Sequence, residues 1–187
     1  MAEVDKRAPT TKLLWVDLEM TGLDPQRHRV IEIAAEVTDF EFKTTASYEA
    51  VVFQSDEVLA DANDWTKRQM AVNGLADKVQ KGMPEADVAR TFAALIKEQF
   101  GDEPAVLAGN SIHQDRSFIR QWWPEVDALL HYRMLDVSSW KILMQAKYGV
   151  QFEKQEMHRA LDDIHESIAE LQFYLHWFEN YADHIFV

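Results

Sequence analysis

The stretch LLWVDLEMTGLD, Leu13–Asp24, decides the reading of the chain. Leu13, Leu14, Trp15, Val16 and Leu18 have the character of a buried strand. Asp17 and Glu19 interrupt that apolar run. Side chains two apart in a strand project from the same face, so the two carboxylates point the same way. Two like charges in an apolar strand are costly unless something compensates them. The compensating partner has to come from elsewhere in the chain or from bound cations.

Working outward, Val30–Thr38 (VIEIAAEVT) and Tyr48–Gln54 read as two further strands. Thr21, Gly22, Asp24 and Pro25 are turn residues between the first two, which predicts an antiparallel meander. Downstream the pattern changes. Trp65–Val72 reads as a short helix stopped near Gly74, and Pro84 opens a longer one with Val88, Phe92, Leu95 and Ile96 at helical spacing. Ala105–Ala108 is a strand and Asp115–Trp123 a helix ended by Pro124. Tyr132–Val137 is a strand; Ser138–Tyr148 is a helix capped by serine and closed at Gly149. Asp162 to Tyr181 forms the last helix, with Ile164, Ile168, Leu171 and Leu175 on one side. A meander followed by strand–helix alternation predicts an α/β fold: a mixed sheet, antiparallel then parallel, flanked by helices.

The 187 residues suit one domain with a sizeable core, taken as 12–187 behind a flexible tail at 1–11. The absence of cysteine excludes disulfides and thiolate metal sites and suits a reducing cytoplasm. No run is long enough to span a bilayer, and the opening residues lack the apolar core of a signal sequence. The net charge of −13 argues against a basic track for long nucleic acid. A nucleic-acid role on this chain would have to work through metal ions or a small pocket.

Two other places set acid against the local pattern. Asp115, in GNSIHQDRSFI, sits at or near a helix start, where aspartate is also a common cap. HRALDDIHESI holds His158 and, four residues between them, Asp163. Asp163 flanks the apolar stripe of the last helix, and Asp162 is placed to cap it. Each place alone has an ordinary structural reading, since short acidic motifs recur by chance. Together, four ionised carboxylates would balance a pair of divalent cations, and an all-oxygen set suits Mg²⁺ or Mn²⁺ rather than zinc. Such a pair, about 3.5–4 Å apart, serves in-line phosphoryl displacement. A neutral histidine beside it could take a proton from water, since nearby cations disfavour imidazolium.

DLEMT, GNSIHQD and HRALDD resemble the three motifs of the DEDD 3′→5′ exonucleases, and the histidine ahead of the last aspartate is similar to the histidine subgroup. LWVDLEMTGLD, ANDWT, AGNSIHQD, HYRMLDVSS and HRALDDIHESIAEL, in this order from Leu13 to Phe178, resemble the oligoribonuclease family within it. The resemblance implies an RNase-H-like fold, two metal ions, a homodimer, and removal of nucleotides from very short RNA and dinucleotides. Matched by position, Asp17, Glu19, Asp115 and Asp163 would hold the metals and His158 would be the general base. Ser111, His131, Arg133 and Ser138 would form a phosphate pocket. Leu23 and Tyr132 would bracket bases, and Trp65 would lie beside the 3′ nucleotide. The resemblance further implies that Tyr132 and His131 reach the partner subunit's site.

On residue type alone, Ser138 could merely cap its helix, Arg133 could pair with a surface acid, and Tyr132 and Trp65 could be core. The Trp122–Trp123 pair is better read as core or interface, and His28, His165, His176 and His184 as surface residues. Three positions depart from the family: His113 where glycine is expected, Ser117 where arginine is common, and Met70 where histidine is frequent. A proofreading or tRNA-trimming exonuclease of the same superfamily is the alternative enzyme, and it would need a basic patch or a polymerase partner. A non-catalytic nucleotide-binding module would be expected to lack one of the five central residues. An acidic interaction domain would bind no metal.

Overall fold

The computed structural model describes residues 10–72, 74–153 and 159–181. Five strands form one sheet: β1 (Lys12–Met20), β2 (Val30–Asp39), β3 (Thr44–Val51), β4 (Ala105–Gly109) and β5 (Leu130–Asp136). Their order is β3-β2-β1-β4-β5. The β1–β2 and β2–β3 pairs are antiparallel; β1–β4 and β4–β5 are parallel. The mixed sheet foreseen from the meander and the later alternation is present.

The helices are α1 (Asp56–Ala60), α2 (Asp64–Val72), α3 (Leu75–Val79), α4 (Glu85–Phe100), α5 (His113–Trp122), α6 (Pro124–Asp127), α7 (Val137–Leu143) and α8 (Ala160–Tyr181). A π-helical turn, Met144–Tyr148, continues α7 and ends at Gly149 in the left-handed region.

Alternation along β1 sorts its side chains between two cores. Leu14, Val16 and Leu18 pack with Val88, Phe92 and Ile96 of α4 and Phe118 and Ile119 of α5. Leu13 and Trp15 pack on the other face, with Ile164, Ile168 and Leu171 of α8. Asp17 and Glu19 continue the second series, so the pleat turns both acids toward α8. β2, covered on both faces, is buried from Val30 to Thr38.

Several boundaries differ from the sequence reading. β3 runs Thr44–Val51 instead of Tyr48–Gln54. Its polar, half-exposed residues give little hydrophobic signal, and pairing with β2 sets its extent. Gln54 lies beyond the strand and donates from Nε2 to the Val30 carbonyl at 2.9 Å. Serine does not cap α7. Asp136 does, accepting from the Ser138 N–H. Asp162 does not cap α8, which starts two residues earlier at Ala160. α1 and α3 were missed because a single turn carries too short a period to register.

Trp123 is fully buried, as expected of core, and Trp122 donates from its indole to the His28 carbonyl at 3.0 Å. His28 is half-buried, not simply exposed: its Nδ1 accepts the Asp24 N–H at 3.0 Å. No helix among the described residues is long and apolar enough to cross a membrane.

Candidate active site

The first-motif acids and Asp163 meet across the β1–α8 contact. One carboxylate oxygen each from Asp17, Glu19 and Asp163 lie within 4.8 Å of one another, and all three residues are half-buried. The strand's pleat supplies two of them and the first turns of α8 the third. Asp163 is anchored there by its N–H donating to the Arg159 carbonyl at 2.9 Å.

Asp115 joins from the opposite layer. It is the third residue of α5 and is buried, and it does not act as the helix cap; Ile112 stands at that position. Its Oδ1 accepts the Leu18 N–H at 3.0 Å. Leu18 lies between Asp17 and Glu19, so this bond fixes α5 against the strand segment that carries both acids.

Burial and the clustered charge together shift the acids. Burial raises Glu19 from the ordinary 4.5 to about 7, with Asp163, Glu32 and Asp115 pushing the same way and Arg159 opposing. Burial likewise raises Asp115 to about 7, against the Leu18 hydrogen bond. Glu32 lies directly across from Glu19 in the β1–β2 ladder, a like-charge pairing that is destabilising by itself. Arg159 compensates it, donating to both Glu32 oxygens at 2.7 and 3.2 Å. This Arg159–Glu32 pair was not foreseen, because no sequence pattern links residues so far apart. The donor set at the trio is all oxygen, half-buried and already strained by repulsion, which fits a hard divalent cation. His158 lies outside the described residues.

The second group of candidate residues surrounds the end of β4. Ser111, in the left-handed region at φ 50°, donates its N–H to Asp136 Oδ1 and to Ser138 Oγ, both at 3.0 Å. The Ser111 and Ser138 hydroxyls lie 3.2 Å apart. The structure therefore joins Ser111 and Ser138 and adds Asp136, whose D-V-S context could have marked it as a cap. His113 Nδ1 lies 3.6 Å from Asp136 Oδ2, placing the unexpected histidine beside this serine pair.

His131, Tyr132 and Arg133 follow on the edge strand β5. Tyr132 is 60% exposed, so it is not core. Its ring lies 4.5 Å from that of His131 and 5.1 Å from the Arg133 guanidinium carbon. Arg133 forms no surface ion pair among the described residues. His131 and Arg133 line a cavity of about 840 Å³ with Lys12, Phe100 and Trp140. None of the Ser111 or Ser138 hydrogen bonds goes to His131, Tyr132 or Arg133 within the described chain.

Leu23 is 72% exposed, and its carbonyl accepts Gln114 Nε2 at 2.6 Å. Trp65 is 52% exposed at the start of α2, again not core. The Asn63 N–H donates to the Thr21 carbonyl at 3.1 Å, which ties the start of α2 to the loop carrying Leu23. Gln114 and Asn63 escaped the sequence reading because they act on backbone carbonyls and carry no chemistry of their own.

The exonuclease family model named RNase_T matches residues 14–171. Oligoribonuclease of Francisella tularensis subsp. tularensis (strain WY96-3418) is 43% identical over 165 residues, covering 87% of this chain and 93% of that protein. The chain belongs to the oligoribonuclease family of exonucleases. It is a nuclease, and a hydrolase of the 3′→5′ exonuclease type. The homologue from strain FSC 198 is 42% identical over the same coverage.

Solved structures confirm the RNase-H-like exonuclease fold. Exonuclease I from Methylocaldum szegediense superposes with a TM-score of 0.65 at 21% identity, over 86% of this chain and 39% of that one. An E. coli ExoI–ssDNA complex in its zinc-bound form gives 0.70 at 18% identity, over 94% and 43%. The chain thus spans about two fifths of the length of those Exonuclease I proteins, and the likeness concerns the fold alone.

Proposed function

We propose that this exonuclease degrades oligoribonucleotides of about two to five residues to 5′-mononucleotides, a length class that needs few phosphate contacts. The observation that carries the reading is the convergence of Asp17, Glu19 and Asp163 within 4.8 Å, with Asp115 tied to the strand between the first two. Asp17, Glu19, Asp115 and Asp163 would hold a pair of Mg²⁺ or Mn²⁺ ions. When bound, such a pair supplies charge against the phosphate oxygens and lowers the pKa of water. His158 acts as general base, taking the proton of the attacking water. The β1 pleat and the Leu18–Asp115 bond keep the carboxylates fixed, so little reorganisation is needed as charge develops.

Ser111, Ser138, Arg133 and His131 would bind the terminal phosphate; hydroxyls and a guanidinium suit its oxygens. Leu23 and Tyr132 bracket the bases, and Trp65 lies beside the 3′ nucleotide. The exposure of Leu23, Trp65 and Tyr132 supports these roles. So does the outward edge position of β5 for a homodimer in which Tyr132 and His131 reach the partner subunit's site. A chain of net charge −13 can act on RNA this way, because it need not track a long strand. The absence of cysteine suits a cytoplasmic enzyme.

The test is a length series. End-labelled RNA from the dinucleotide to roughly the decamer is incubated with Mg²⁺, with EDTA, and with Asp163→Ala. Dinucleotides should disappear with Mg²⁺ and persist in the other two arms. Persistent dinucleotides beside shortened longer strands would overturn the short-substrate reading.

A further inference from the structure

A buried polar relay runs from α8 to the serine pair. Glu170 is fully buried, two helical turns beyond Asp163. Tyr174 donates its hydroxyl to Glu170 Oε1 at 2.8 Å. Burial and Glu170 both push the Tyr174 phenol up from its ordinary range, which keeps it a donor. Asn110 Nδ2 donates to Glu170 Oε2 at 3.2 Å and to Ser167 Oγ at 2.8 Å. Ser167 gives its own proton to the Asp163 carbonyl at 2.8 Å, so toward Asn110 it can only accept.

Those two acceptors fix the nitrogen end of the Asn110 amide, and the oxygen end faces Ser138. Ser138 Oγ donates to Asn110 Oδ1 at 3.2 Å, committing its single proton. The proton in the 3.2 Å contact between the two serine hydroxyls must then come from Ser111. Of the two, only the Ser111 hydroxyl can turn its proton to a ligand without breaking the relay. Nothing in the hydrolytic chemistry requires a buried carboxylate at Glu170, and leaving buried polar groups half-satisfied is costly.

We propose that Glu170 is a positioning residue: through Asn110 it sets the hydrogen-bond direction at the Ser111–Ser138 pair, so that Ser111 turns its proton to the 5′-terminal phosphate of a short RNA at no cost to the relay, whereas Ser138 donates there only by releasing Asn110. This rests on the phosphate pocket of the proposed function. Glu170→Gln preserves the shape but offers an amide to Asn110. With that amide nitrogen facing it, Asn110 can reverse once the Ser167 hydroxyl turns its proton from the Asp163 carbonyl to the Asn110 oxygen; the Asn110 nitrogen end then meets Ser138, and the fixed direction is lost.

The experiment measures KM and kcat on a 5′-phosphorylated diadenylate and on its 5′-hydroxyl form, for the wild type, Glu170→Gln and Asn110→Ala. The wild type should prefer the phosphorylated form. Each variant should raise KM for that form about tenfold while kcat and the 5′-hydroxyl KM stay within about twofold. Should Glu170→Gln fail to fold, Asn110→Ala carries the same expectation. Wild-type discrimination retained in the variants overturns the inference, as does an equal loss of kcat on both substrates, which marks a merely structural role. A wild type indifferent to the phosphate would overturn the pocket itself, and this inference with it.

Discussion

Asp115 Oδ1 accepts the backbone N–H of Leu18 at 3.0 Å, the residue flanked by Asp17 and Glu19. One carboxylate thus does two jobs. It adds negative charge to the acidic cluster and it satisfies a buried strand donor. The two jobs can be separated by substitution. Asp115→Asn retains an acceptor for Leu18, whereas Asp115→Ala leaves that N–H unpaired. The alanine variant should lose about 1–3 kcal/mol of stability, the cost of an orphaned buried donor. The asparagine variant should stay as stable as the wild type or gain, since it removes a buried like charge. Both should lose activity. Urea unfolding alongside a nuclease assay checks the split; equal stability of the two variants would show that the bond carries no weight.

The acid cluster also makes stability depend on pH in an unusual sense. Glu19 and Asp115 are raised to about 7 in the folded chain, above ordinary carboxylates. Between about pH 4.5 and 7 the folded state therefore binds more protons than the unfolded state, and stability falls as pH rises through that window. The Glu19 shift alone corresponds to about 3 kcal/mol at 1.36 kcal/mol per unit. Metal-free protein should melt several degrees lower at pH 8 than at pH 5.5, and Mg²⁺ or Mn²⁺ should restore the loss at pH 8. Calorimetry in EDTA and in excess divalent ion measures both. A melting temperature that rises with pH in EDTA would contradict the sign.

Arg159 is the cation that tempers this repulsion, through its two bonds to buried Glu32. Arg159→Ala strands a carboxylate beside Glu19 and should cost about 3 kcal/mol, as breaking a buried pair does. Glu32→Gln in the same background should recover part of the loss, because the uncompensated charge is gone. A double-mutant cycle by chemical denaturation reads the coupling, and simple additivity of the two changes would refute it.

What the sequence disclosed divides along physical lines. Local periodicity was enough for β1, for α8 and for the face shared by Asp17 and Glu19, because alternation in a strand is a property of neighbours. Asp163 was placed correctly for the same reason, as a residue flanking the stripe that buries Ile164 and Ile168. Long-range bonds left no such trace. The Leu18–Asp115 bond spans 97 residues and the Arg159–Glu32 pair 127. The cap of α7 was misread because Asp136 and Ser138 are both capping types, and only the backbone decided that Asp136 holds the place. β3 was misplaced because an edge strand is defined by its partner more than by its own hydrophobicity. Glu170 and Asn110 carried no signal, since a buried carboxylate on a helix looks like a surface one until the helix is packed.

The most direct measurement is the rate of mononucleotide release from a short RNA as free Mg²⁺ is varied, for the wild type and for Asp163→Asn. Asparagine is nearly isosteric, so folding is preserved while the trio of Asp17, Glu19 and Asp163 loses one charge. The expected result is no turnover in EDTA, recovery as Mg²⁺ or Mn²⁺ is added, and a loss of about a hundred- to a thousandfold in the variant at any ion concentration, as removal of one electrostatic stabiliser gives. Turnover that continues unchanged in EDTA, or a variant as fast as the wild type, would contradict the assignment of this acidic cluster as the reacting centre.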